Sequence, residues 1–196
     1  MAKPGPELRR LVIAILVAAG VVFTGQGLWI PAKAVLAQHL LERAWQRTLS
    51  GRPRVAPWPW ADTWPVARLI IRDHVLVVLA DSGGEGLAFG PTHVAGSAPP
   101  GGDGTVVISG HRDTHFRRLG TLGPGEVIIL ETADGAVRRY RVTGSEVLDN
   151  PELKIPMPGL DNALALVTCW PLNGIDPGTR KRFVLHALAI AASGRI

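Results

Sequence analysis

Apolar and polar positions repeat on three length scales along this chain, and the change from one scale to the next divides it. Leu11 to Ile30 reads LVIAILVAAGVVFTGQGLWI, about twenty residues without a charge, and as a helix rising 1.5 Å per residue it spans roughly 30 Å of hydrocarbon. The pattern predicts a transmembrane anchor at 11–30 behind a short basic tail at 1–10, with Trp29 as an interfacial residue. A cleaved signal peptide is the competing reading, because the purely apolar stretch (Leu11 to Phe23) is shorter and Ala32-Lys33-Ala34 resembles a small-residue cleavage site. From Ala34 to Leu49 the repeat becomes amphipathic: Leu36, Leu40, Leu41, Ala44, Trp45 and Leu49 recur at helical spacing between Gln38, Glu42, Arg43 and Gln46. This predicts an amphipathic helical stalk or linker over 31–54, lying on the domain or on the membrane.

From residue 55 to 196 the period shortens to that of strands. Runs at 67–72, 75–79, 105–109, 127–131, 137–142, 164–168 and 183–190 are separated by turn-forming clusters such as Pro-Pro-Gly-Gly-Asp-Gly (99–104), Ala-Asp-Gly (133–135) and Asp-Pro-Gly (176–178). Residues 116–122 and 150–160 read as short helical turns or loops lying over the strands. The body is therefore mainly β, a barrel or a sandwich in one domain. The segment GRPRVAPWPWADTWP (51–65), with four prolines and three tryptophans, is too proline-rich for a helix and too aromatic for a solvated linker. Trp58, Trp60 and Trp64 are expected to cover the side of the barrel or rest at a membrane interface, with a peptide groove as the alternative.

Composition alters this picture little. The 23 Gly and 16 Pro suit short strands joined by turns, and the net charge of +5 comes from dispersed basic residues without a nucleic-acid-binding motif. No nucleic-acid partner is expected; a basic face near anionic lipid is. Lys3, Arg9 and Arg10 before the apolar span are matched by Lys33, Arg43 and Arg47 after it, so charge does not orient the anchor.

One cysteine cannot form an internal disulfide, and its setting points to chemistry. Cys169 ends the apolar run ALALVTCWP, where Pro171 stops a central ladder and leaves the thiol at a strand end. A free cysteine is more commonly a small buried hydrophobe, so the reactive reading depends on partners. His111 follows the apolar run TVVISGH, and Arg182 opens RFVLHA. A thiol, an imidazole and a guanidinium at the mouths of strands can attack a carbonyl, protonate the departing amine and stabilise the oxyanion. Each also has a plain reading: His111 as a turn residue, Arg182 paired with a carboxylate such as Asp176. His115 is expected to have a structural or loop-orienting role.

The strings SGHRDTHFRRLGTL, ALALVTCWP and RFVLHA, in that order and at that separation, resemble the sortase family. PWPWADTWPVARL and HRDTHF resemble in particular the class found in Gram-negative proteobacteria. The resemblance covers roughly residues 55 to 190. It implies a closed eight-stranded β-barrel with short helices, tethered by an N-terminal helix to the inner membrane with its catalytic domain on the extracytoplasmic side. It further implies cleavage of a Leu-Pro-x-Thr-Gly type signal near the C-terminus of a secreted protein. By that analogy Cys169 forms the thioacyl intermediate, His111 acts as acid and then base, Arg182 holds the oxyanion, and an amine or water resolves the intermediate. Thr168 is the expected substrate-binding residue. Ala165 stands where the family's Thr-Leu-x-Thr-Cys string begins with threonine. No cofactor is implied, and no acidic cluster suggests a metal requirement. An L,D-transpeptidase is disfavoured by the missing Ser-His-Gly-Cys setting. The remaining alternatives are a zinc hydrolase using His111, His115 and Cys169, although HRDTH lacks the HExxH glutamate, and a membrane-anchored barrel that binds peptide without catalysis.

Overall fold

The computed structural model describes residues 5–80, 84–149, 162–174 and 179–190. The apolar N-terminal stretch and the amphipathic repeat form one helix, α1 (Pro6–Leu49), which runs on through Pro31. The chain divides into two units, residues 1–39 and 40–196. In the first, Leu11, Ile15, Leu16, Val22 and Phe23 are all exposed, and the helix is long and apolar enough to cross a bilayer, a test that a signal sequence also passes.

The end of α1 belongs to the second unit. Leu41 and Trp45 are 0% exposed and pack with Val77 and Leu79, backed by Leu49, Trp58 and Phe89. Within the range read from sequence as stalk, the apolar stripe from Leu41 to Leu49 is thus spent on barrel side chains, each fully buried aliphatic contributing about 1.5–3 kcal/mol. Arg68 fastens this edge, placing Nη2 2.6 Å from Glu131 and Nη1 3.4 Å from Glu42. In the tryptophan segment, Trp58 meets Phe89 edge to face at 4.7 Å between centroids and Trp64 lies under Arg54 at 5.1 Å, whereas Trp60 is 83% exposed.

Eight strands follow among the described residues: β1 (Pro65–Ile71), β2 (His74–Ala80), β3 (Thr92–His93), β4 (Thr105–Ser109), β5 (Val127–Thr132), β6 (Val137–Asp149), β7 (Ala163–Cys169) and β8 (Lys181–Ala189). They close into a barrel in the order β1-β2-β3-β4-β7-β8-β6-β5. Closure leaves no unpaired edge. Seven strands fall on the runs expected from periodicity; β3, two residues long, has no period to read. β6 continues past the expected Val142 because β8 pairs along it to Asp149, with an irregularity at Val142/Gly144. The β5–β6 hairpin turns at Ala133-Asp134-Gly135, where Gly135 takes φ 80° at little steric cost.

β7 is buried from Ala163 to Thr168. Leu164 and Leu166 face the main core with Leu69, Val106, Ile108, Ile128 and Leu185, while Ala165 and Val167 join Val107 and Val184 in a second cluster flanked by Val94 and Leu148. A strand apolar on both faces reads as a continuous run, which is why period-2 alternation is missing there. Residues 111–122 then close one end of the barrel, sinking Phe116, Leu119 and Leu122 into the main core, with a 3-10 turn at Leu119–Thr121 where a short helical turn was expected. The turn expected over 150–160 and the cluster at 176–178 lie outside the described residues.

Candidate active site

Two neighbours of β7 decide what surrounds Cys169. On one side β4 runs parallel to it, from Thr105 opposite Ala163 to Ser109 opposite Val167. The pairing extends past the strand: the Gly110 N–H donates to the Val167 carbonyl at 3.0 Å, and the Thr168 hydroxyl donates to the Gly110 carbonyl at 2.7 Å. His111 follows Gly110 directly and so leaves β4 at the end of the barrel where Cys169 closes β7. On the other side β8 runs antiparallel, with Arg182 directly opposite Cys169, a pairing that puts Cα atoms about 5 Å apart. Cys169 alternates with Ala165 and Val167, and Arg182 with Val184, so the thiol and guanidinium start from the face of the second apolar cluster. Cys169 and Arg182 are half-buried and His111 is exposed, so the thiol is at a rim rather than in the core.

Arg182 Nη1 donates to the carbonyls of Thr179 (2.6 Å) and Lys181 (3.1 Å), bonds that orient the guanidinium while Nε and Nη2 bond no described residue. Arg180 instead approaches Asp149 at 3.4 Å, which distinguishes two arginines that sequence alone leaves easy to confuse. Asp176, the carboxylate considered for Arg182, lies outside the described residues. After Cys169 the chain is held by Trp170, whose ring stacks on Phe183 at 6.0 Å.

Two further residues tie this end of the barrel together. Thr168, expected to contact substrate, is 2% exposed with its hydroxyl committed to Gly110, so it joins the β4 and β7 ends from inside. Arg112 is 5% exposed, and its Nη1 donates to the Pro171 carbonyl at 3.1 Å. It ties the turn that starts at His111 to the turn that follows Cys169. Nothing in the sequence announces this, since an arginine beside Asp113 in a turn normally faces water. Arg112→Ala is expected to cost about 1–3 kcal/mol, the price of a lost charge-assisted bond in a buried setting, and to lower kcat more than KM; thermal melts and steady-state kinetics on the variant check both, and unchanged values would show that the tie is idle.

His115 lies beside His111, their rings stacked with centroids 6.0 Å apart and planes 29° apart. Its Nδ1 is buried without a hydrogen-bond partner among the described residues. Burial, helped by the charge of His111, pushes the His115 imidazole down to about 4. Unfolded, the ring takes up its proton near pH 6.5; folded, it resists until about 4. Stability from this group is therefore complete above about pH 6.5 and is lost as pH falls toward 4, by about 1–2 kcal/mol once partial solvation of the ring is allowed for. His115→Gln is expected to flatten that part of the Tm-against-pH curve, measured from pH 7 to 4.5. The two rings present faces to each other, whereas metal ligation uses lone pairs in the ring plane, and no group of three His, Cys, Asp or Glu among the described residues is disposed to hold a metal.

A family model described as the sortase domain matches residues 71–190. Sortase D of Bacillus subtilis (strain 168) is 29% identical over 112 residues, covering 57% of this chain and 56% of that protein, so the match spans a little over half the relative's length. Among solved structures, sortase C-1 from Actinomyces oris superposes with a TM-score of 0.55 at 25% identity, covering 65% of this chain and 76% of that one. Sortase A from Corynebacterium diphtheriae gives a TM-score of 0.56 at 22% identity over 80% of this chain and 85% of its own, a likeness of architecture.

Proposed function

Because the chain belongs to the sortase family, we propose that it is a membrane-anchored cysteine transpeptidase that cleaves a Thr-Gly type sorting signal near the C-terminus of secreted proteins and passes the acyl group to an amine or to water. What supports this reading is the pairing of Arg182 opposite Cys169 on β8, together with His111 following β4, the strand that runs parallel to β7 on its other side. The apolar helix of residues 6–39 serves as the single-pass anchor in the inner membrane, leaving the barrel on the extracytoplasmic side.

The chemistry follows from the three groups. His111 accepts the Cys169 proton, and the sulfur adds to the threonine carbonyl carbon while the C=O π pair moves onto oxygen, where Arg182 N–H groups stabilise it. Collapse breaks the threonine–glycine C–N bond; the nitrogen takes the proton from the His111 imidazolium and departs as a free amine, leaving a thioester on Cys169. An incoming amine or water then gives a proton to His111, attacks the thioester carbonyl and expels the Cys169 sulfur. Thr168 and Arg112 work one step removed, holding the ends of β4 and β7 at the spacing this exchange requires.

The experiment is to mix the protein with a Leu-Pro-x-Thr-Gly peptide, quench in acid and weigh the intact chain. A mass increase equal to the peptide's acyl portion, located at Cys169, supports the reading; cleavage that proceeds without any adduct, or depends on added zinc, overturns it.

A further inference from the structure

The residues that follow His111 also form the wall of a cleft of about 260 Å³ against the tip of the β1–β2 hairpin. Its apolar part includes Leu76 and Leu119, and its polar lining includes His74, His115, Arg117 and Arg118. His115 is the shared element: one face of its ring stacks on His111, and the residue lines the cleft. The charges around it are unequal. Arg118 is partly satisfied, 2.8 Å from His74 Nε2 and 4.0 Å from Asp73, and Asp113 lies on the lining; Arg117 is exposed and bonds no described residue.

Acyl transfer through a thioester restricts where the second substrate can come from. The amine that resolves the intermediate must hand its proton to the same imidazole that protonated the leaving amine, so it approaches from the departing side of the scissile bond, beside His111. We propose that this cleft is the acceptor subsite, and that Arg117 and Arg118 favour an amine whose neighbouring residue carries a carboxylate, such as an acidic peptide, over a cationic one. The inference rests on the transpeptidase reading and adds to it the chemical class of the acceptor. An apolar floor with a cationic rim holds the short chain behind the amine, and the charge at the rim sorts acceptors by electrostatic complementarity.

The test uses the full-length chain in detergent with a Leu-Pro-x-Thr-Gly donor and two acceptors, Gly-Glu-Gly and Gly-Arg-Gly, both as C-terminal amides. The ratio of aminolysis to hydrolysis is read within each reaction, so a change in acylation rate cancels. The ratio is expected to be about fivefold higher for the acidic acceptor at low salt, to even out near 0.5 M salt, and to reverse in the Arg117→Glu/Arg118→Glu double variant. Equal ratios for the two acceptors, or a preference that the double variant leaves in place, overturn the subsite while leaving the transpeptidase reading intact. Absence of any acyl adduct on Cys169 overturns both.

Discussion

Cys169→Ala is expected to abolish peptide cleavage, by roughly ten-thousandfold or more, and to leave no acyl adduct on the chain. On the proposed mechanism, loss of the thiol removes the covalent route altogether, and substrate binding with the Arg182 donors cannot by itself form a thioester. The substitution takes away one half-buried sulfur at the end of β7, while Ala163 to Thr168 keep their pairing with β4 and β8. Tm should therefore move by only a few degrees, so lost activity cannot be blamed on lost structure. The measurement pairs a fluorescence-quenched peptide assay with a thermal melt; a variant that still cleaves at the wild-type rate would remove Cys169 from the mechanism.

Phe116→Ala should cause the largest loss of stability among the substitutions at this end of the barrel, about 3–5 kcal/mol, the usual cost of emptying a buried phenylalanine site. Phe116 is 1% exposed and supports the His111 turn in two ways: its amide N–H donates to the His111 carbonyl at 3.0 Å, and its ring lies against Gly110 so closely that a Cβ there would come within 2.7 Å of it. Emptying the site both removes core contacts and unseats the turn, so Tm should fall by roughly 10 °C and the remaining folded protein should acylate more slowly. Urea melts at a temperature where both proteins are folded, with acylation measured in parallel, check the two effects. Stability lost with acylation unchanged would show that His111 is positioned without the ring.

Gly110 is the matching case from the opposite direction. Any side chain there collides with the Phe116 ring, which explains a glycine immediately before His111 that the sequence presents only as an ordinary turn residue. Arg112 and Thr168 behave similarly: both are polar residues in polar-looking strings, and both are buried because their partners, Pro171 and Gly110, arrive from far along the chain. No local pattern marks a residue whose partner is decided by strand order.

Periodicity and punctuation by themselves determined the apolar helix at the N-terminus, seven of the eight strands, the mainly β class and the position of His111, Cys169 and Arg182 at strand mouths, because each is a property of residue spacing that secondary structure reads directly. Tertiary structure alone decided that β4 and β8 flank β7, and with that which end His111, Cys169 and Arg182 share. It also decided that the stripe from Leu41 to Leu49 packs on barrel residues, that the two-residue β3 pairs with β2 and β4, and that His115 faces both His111 and a cleft. The reason is the same in each case: these features depend on residues brought together by barrel closure, and the energy of those contacts is set by burial and pairing between segments whose separation in sequence carries no period.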